Sequence, residues 1–215
     1  MKQFHRFYRE NFGSYTESDK PVFRTVNVHA HNGCNLACKG CNHNSSVLAP
    51  GSGIMVDQML DDLQSILPRI HIYSHISLLG GEPLLEPRCE EILTKIEELV
   101  DCNIKLFSNA LLLHKNHDWI IEHMKRGTTL RLSMHVSPVS KLGKQNYKNV
   151  VDFIEYAEDK VDLDSTLEIS EPWDEKWFDM LKWEDNKFHP HENNDLESSW
   201  SHCSCPQMQI YNGHL

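Results

Sequence analysis

Residues 21 to 43 read "PVFRTVNVHAHNGCNLACKGCNH", a β-branched run that passes without a break into three cysteines in the order C-x3-C-x2-C. Val22, Val26 and Val28 supply the stiff branched side chains of a strand, so Cys34, Cys38 and Cys41 fall in the loop that follows it. Three of seven cysteines within eight residues hold something, are cross-linked, or are an accident of composition. A disulfide framework is the poor reading, because the count is odd and the leader "MKQFHRFYRENFGSYTESDK" is charged throughout, unlike a secretory signal. The expectation is a reducing, cytoplasmic setting in which cysteines do metal or redox chemistry.

Beyond the loop, apolar residues recur with helical period in "VDQMLDDLQSILPRI" until Pro68, and "HISLLGGEPLLEP" is a short apolar strand closed by two glycines. The pattern continues with a helix "CEEILTKIEELV", a strand "NIKLF", a helix "HDWIIEHMKR" ended by Gly127, and an alternating strand "TLRLSMHVS". A helix "NYKNVVDFIEYAEDK", a strand "STLEIS" and a short amphipathic helix "DEKWFDMLKW" complete it. Strand and helix thus alternate about five times at βαβ spacing, which implies an α/β fold with a parallel sheet covered on its outer side by helices. Function in such a fold lies at the C-terminal ends of the strands, where both the cysteine loop and the glycine pair fall.

Residues 1–21 read as a polar leader, 22–185 as the βα region, and 186–215 as an irregular C-terminal segment that ends in a strand-like run and an Asn-Gly hairpin signal with only two residues after it. A truncated extension is the expectation there. At 215 residues the chain is long enough to bury a core without disulfides. No apolar run reaches the length of a membrane span, and a net charge of -10 argues against nucleic acid as a partner.

Two metal chemistries fit the cysteines. Tetrahedral zinc prefers four ligands in paired short spacings, with "HCSC" at 202–205 or a histidine as the candidate remainder. A cubane iron-sulfur cluster instead accepts thiolates from a single loop, and three cysteines leave one iron open for a small molecule.

C-x3-C-x2-C after the first strand, followed some forty residues later by a strand ending in "GGEP", resembles the radical S-adenosylmethionine (radical SAM) superfamily. The resemblance implies a partial (βα) barrel of about five to six parallel units, with a 4Fe-4S cluster on Cys34, Cys38 and Cys41. It implies S-adenosylmethionine on the open iron, its amino group met by Gly80, Gly81, Glu82 and Pro83. Reductive cleavage to methionine and a 5′-deoxyadenosyl radical, then hydrogen abstraction from substrate, is the implied activity. "LFSNALLL" stands where many members read T-N-G, which brings Ser108 and Asn109 to the cofactor or substrate side, and "LRLSMHVS" makes Ser133 a candidate cofactor contact. "CKGCNHNSSVLAP" is similar to members that act on sugars or peptides and carry an auxiliary-cluster (SPASM or twitch) extension, whose start "CSCPQMQIYNGHL" resembles. The implied partners are a small-molecule or peptide substrate and a one-electron donor such as a flavodoxin or ferredoxin, with no nucleic acid or membrane.

This sequence also departs from the family. Gly40 replaces the aromatic residue that members carry before the third cysteine, and Ala110 replaces the glycine of the third-strand turn. A sixth βα unit is not legible. Cys89 and Cys102 read as packed thiols; His29, His31 and His43 read as polar loop residues. Glu168 and Glu171 face either the barrel mouth or outward, and Trp173, Trp177 and Trp183 read as core or helix packing, with a substrate wall as the alternative for Trp173. The reading from a different class is a non-catalytic zinc or iron-sulfur binding module.

Overall fold

Strand β1 (Val22–His31) begins a chain of alternating elements: α1 (Val56–Ile66), β2 (His71–Gly80), α2 (Cys89–Leu99), β3 (Asn103–Ser108), α3 (His117–Lys125), β4 (Thr129–Leu132), α4 (Lys141–Ala157), a one-turn α5 (Leu163–Thr166) and β5 (Leu167–Ile169). Strands β6 (Leu181–Glu184), β7 (Lys187–Pro190) and β8 (Gln207–Ile210) follow. A computed structural model of the chain describes residues 20–38, 41, 43, 45, 55–170, 181–184, 187–190 and 207–210, the last three segments as strands. The main sheet has the order β5-β4-β3-β2-β1-β8 and every pairing in it is parallel. Five consecutive parallel strands joined by helices in one sheet are the α/β, partial-barrel arrangement that the resemblance implied. Among the described residues, no helix is long and apolar enough to cross a membrane.

The two faces of the sheet differ in chemistry. Val26, Val28, Ala30, Ile76, Leu78, Leu106, Leu130 and Leu132 are at most 1% exposed, and they join Leu63, Ile92, Leu93, Ile96, Ile120, Ile121, Met124 and Phe153 of the helices in one core. Parallel register puts paired residues on the same face, so the alternate positions form the other: Thr25, Asn27 and His29 beside His75, Ser77 and Leu79, then Lys105 and Phe107, Thr129 and Arg131, and Glu168. Burial of the aliphatic face is the main stabilising term.

Local chemistry moves several boundaries. Helix α4 starts at Lys141 rather than Asn146, because Ser140 is its N-cap and accepts a hydrogen bond from the Gly143 N–H at 2.9 Å. Ser165 and Thr166, expected in a strand, close the α5 turn, which Asp162 caps by accepting from the Asp164 N–H at 3.2 Å. The cap outweighs the β-preference of Thr166 and leaves β5 only three residues. Gly127 ends α3 as expected, with its N–H on the Met124 carbonyl and the Thr128 N–H on that of His123.

The last three residues of the expected helix "DEKWFDMLKW" instead begin strand β6, paired antiparallel with β7 from Leu181↔Pro190 to Glu184↔Lys187, and the rest of it lies outside the described residues. Residues 185 and 186, between the two strands, lie outside the described residues. Trp183 belongs to a strand, while Trp173, Trp177 and Glu171 lie outside the described residues. The C-terminal run Gln207–Ile210 adds to the main sheet beside β1, from Thr25↔Gln207 to Val28↔Ile210.

Candidate functional site

The glycine turn after β2 is docked on the cysteine loop. The Gly81 N–H donates to the His31 carbonyl at 2.7 Å and the Glu82 N–H to the Gly33 carbonyl at 2.9 Å. A Cβ on Gly80 would lie 2.2 Å from the His31 oxygen, and one on Gly81 2.0 Å from the Gly33 oxygen. Gly80 also has φ +150°. Both positions therefore require glycine, and the backbone that approaches them belongs to the chain itself. Pro83 opens a short 3-10 turn, Pro83–Leu85, that leads toward α2.

Glu82 is only 1% exposed and its carboxylate points into the protein. Oε1 accepts from Ser108 Oγ at 2.8 Å and from the Leu84 N–H at 3.2 Å; Oε2 accepts from the Asn109 N–H at 2.7 Å. Burial raises its pKa to about 7 in spite of these donors. The carboxylate thus ties the β2 turn to the end of β3. From there the Asn109 amide donates to Asn35 Oδ1 at 2.7 Å and lies 3.7 Å from Cys34 Sγ, so the tie reaches the cysteine loop.

The turn after β3 keeps the shape that glycine would favour. Ala110 has φ +67° and no exposed surface. Asn149 of α4 holds it, donating to the carbonyls of Ala110 at 3.2 Å and Leu111 at 3.1 Å, while the Ala110 N–H donates to Ser108 Oγ at 3.1 Å. Ser133 follows β4 and its N–H donates to the Ser108 carbonyl at 2.8 Å, which sets it level with Asn109. Ser170 Oγ links the ends of β4 and β5 by accepting from the Met134 N–H and donating to the Leu132 carbonyl, each at 3.1 Å.

Cys34, Cys38 and Cys41 are free thiols, half-buried. Burial chiefly raises the Cys34 pKa, with Glu82 and Cys41 adding to it, whereas the Leu36 N–H and the Asn109 amide oppose. Burial, then Cys34 and Cys41, push Cys38 up to about 11. Three thiolates on one short loop repel one another and are stable only with a cationic centre among them, and two N–H donors already face Cys34 Sγ. The donor set fits an iron-sulfur cluster. Among the described residues no three His, Cys, Asp or Glu side chains converge on a single ion. Cys203 and Cys205, the other half of the zinc alternative, lie outside the described residues.

Burial lowers the pKa of His29 and of His43. His29 packs edge-on to His43 with ring centroids 4.9 Å apart, and burial, then His43, lowers its pKa to about 4. Its Nε2 is buried without a hydrogen-bond partner among the described residues. Glu168 faces the same side of the sheet as His29, where it meets Lys105 and Arg131. Asn35, Asn149, Ser170, Lys105 and Arg131 are the site residues that the sequence reading missed. Only alternation along β3 and β4 could have pointed to the last two.

A family model described as the radical SAM superfamily matches residues 28–169. Among solved structures, native anSMEcpe with bound AdoMet matches with a TM-score of 0.52 and 18% identity over 69% of this chain and 43% of that one. Native anSMEcpe with bound AdoMet and Cp18Cys peptide gives 0.50 and 21% over 69% and 42%. BtrN in complex with AdoMet and 2-DOIA gives 0.46 and 18% over 70% and 58%. This chain spans 42% to 58% of the lengths of these proteins, and at such identities the likeness is one of fold. No curated protein sequence matches the chain significantly. With two thirds of its length under the family model, on the strands and loops just described, the chain belongs to the radical SAM superfamily.

Proposed function

We propose that this chain is the catalytic domain of a radical SAM enzyme, with a 4Fe-4S cluster on Cys34, Cys38 and Cys41. S-adenosylmethionine would sit beside it, against the Gly80–Pro83 turn, Asn109 and Ser133. Bound there, the cluster and S-adenosylmethionine would supply reductive sulfonium cleavage and hydrogen abstraction from the substrate. The electron comes from an external donor of the flavodoxin or ferredoxin type, and a cytoplasmic setting suits it. A peptide side chain or a sugar is the favoured substrate, consistent with the "CNHNSS" segment after the third cysteine.

The observation that carries this reading is the hydrogen-bonded chain Ser108–Glu82–Asn109–Asn35 beside Cys34, which joins three loops from three different strands at one place. Each residue in it has a distinct task. Because the Glu82 carboxylate is occupied inside the protein, it positions the turn, and the ammonium of the cofactor falls to backbone carbonyls of the turn. Asn109 orients the loop that carries Cys34. Ser133, level with Asn109, offers a hydroxyl from the next strand.

The test is anaerobic reconstitution with iron and sulfide, dithionite reduction and assay of 5′-deoxyadenosine with S-adenosylmethionine present. Product that is lost in each of Cys34→Ala, Cys38→Ala and Cys41→Ala supports the reading. Full zinc occupancy with no product would leave the alternative, a non-catalytic metal-binding module.

A further inference from the structure

The inner face of the sheet, below the loops that would hold the cofactors, carries charge that the radical chemistry does not use. Lys105 Nζ lies 2.5 Å from Glu168 Oε1, and Arg131 Nη1 lies 2.8 Å from Glu168 Oε2. The three come from adjacent strands β3, β4 and β5, and their side chains are 20%, 38% and 40% exposed for Lys105, Glu168 and Arg131. The Arg131 guanidinium also stands 5.6 Å over the ring of Phe107, which fixes it against the face. Each carboxylate oxygen is already bonded to one cation, so two positive charges share one negative charge.

Among the described residues of the two neighbouring strands nothing supplies a second anion: Thr25, Asn27, Ser77 and His75 are the inner-face residues of β1 and β2, and none of them carries negative charge. His75 is held neutral by burial first, then by Lys105, Arg24 and Arg131, with Glu168 alone opposing. Two further polar atoms on this face, Thr25 Oγ1 and His29 Nε2, are buried without a partner among the described residues, and Thr25 is 5% exposed. Buried polar atoms are normally satisfied, so two unpartnered ones on the same face as Lys105 and Arg131 are consistent with a polar ligand there. A local positive excess in a chain of net charge -10 also singles this face out electrostatically.

We propose that Lys105 and Arg131 bind an oxyanion of the substrate, a phosphate or a carboxylate, on the inner face of the sheet. Arg131 precedes Ser133 by two residues, which puts the oxyanion site roughly 7 Å below the cofactor level at strand rise. This assignment rests on the radical SAM reading only for where the reacting carbon lies. Glu168 keeps the two cations on the face and competes with the ligand for them.

The probes are inorganic phosphate and succinate, titrated by calorimetry into the full chain at constant ionic strength set with sodium chloride. Saturable binding of phosphate alone identifies a phosphate-bearing substrate, of succinate alone a carboxylate, and of both an oxyanion site that accepts either. Arg131→Gln and Lys105→Gln should each weaken binding about tenfold, with partial recovery in Arg131→Lys, which keeps the charge but not the fork. Glu168→Gln removes the competing charge and should tighten binding about threefold, a direction that neither misfolding nor a purely structural ion pair produces. No saturable binding of either probe, binding unchanged in the double variant Lys105→Gln/Arg131→Gln, or weaker binding in Glu168→Gln would overturn the proposal. Anion binding needs no iron, so its failure beside intact 5′-deoxyadenosine formation sinks this proposal alone, and the converse sinks only the radical reading.

Discussion

Leu106 and Lys105 are neighbours in β3 and belong to opposite faces of one sheet. Leu106 is 1% exposed in an aliphatic core shared with four helices, whereas the Lys105 side chain is 20% exposed and ends on Glu168. The helix-facing side holds the fold by burying apolar surface, and no single polar contact there is needed. The inner side carries polar groups on each of β1 to β5. Stability and recognition are thus divided between the two faces, and the rim where the strands end carries the third task, assembly of the cysteine loop.

That division can be broken first at the rim. Gly81→Ala sets a Cβ against the Gly33 carbonyl, 2.0 Å away, with backbone on both sides. It should destabilise by about 3 kcal/mol or more and lower iron per chain after reconstitution, as read by thermal denaturation and iron analysis. The next effect contrasts the faces themselves: Leu106→Ala should cost about 3 kcal/mol in denaturant titration, but Lys105→Met less than about 1 kcal/mol, since its partner Glu168 is 38% exposed. Equal losses would mean that the inner face is also structural.

Glu82 sharpens the comparison through pH. Its folded pKa is raised to about 7 from the ordinary carboxylate value of 4.5, so the unfolded chain gives up this proton first. The protonated form favours folding, and that contribution is complete below about pH 4.5 and lost as pH rises through about 7. The difference in stability between the parent chain and Glu82→Gln, measured by urea unfolding at several pH values, should change over that window and be flat above it. The smallest effect belongs to Ala110. Glycine would relieve its φ of +67° but lose a buried methyl and free the unfolded chain, so Ala110→Gly should change stability by no more than about 0.5 kcal/mol.

How much of this was legible depended on how local the cause was. Cys34, Cys38, Cys41 and the glycine pair announced themselves by spacing, and Gly127 by its place after a helical run. Gly80 and Gly81 are approached by the His31–Gly33 backbone, forty-odd residues away in sequence, a contact that the glycine pair alone did not specify. Asn149 on the Ala110 turn and Asn35 on Asn109 join parts of the chain 39 and 74 residues apart, and no local pattern encodes such pairs. The same holds for Lys105, Arg131 and Glu168: alternation allowed two faces, and only strand register decided between them. Strand β6 was misread for a different reason, because a four-residue strand beside tryptophans resembles a short amphipathic helix.

The central claim is that three cysteines hold a cluster with one iron open to S-adenosylmethionine, beside the turn that Glu82 and Asn109 tie to their loop. Electron paramagnetic resonance of the anaerobically reconstituted, dithionite-reduced chain, recorded before and after addition of S-adenosylmethionine, tests it most directly. The account predicts the signal of a reduced 4Fe-4S cluster whose g-values move when S-adenosylmethionine is added, with the signal lost in Cys38→Ala. A cluster signal that S-adenosylmethionine leaves unchanged, or full zinc occupancy with no signal at all, would contradict it.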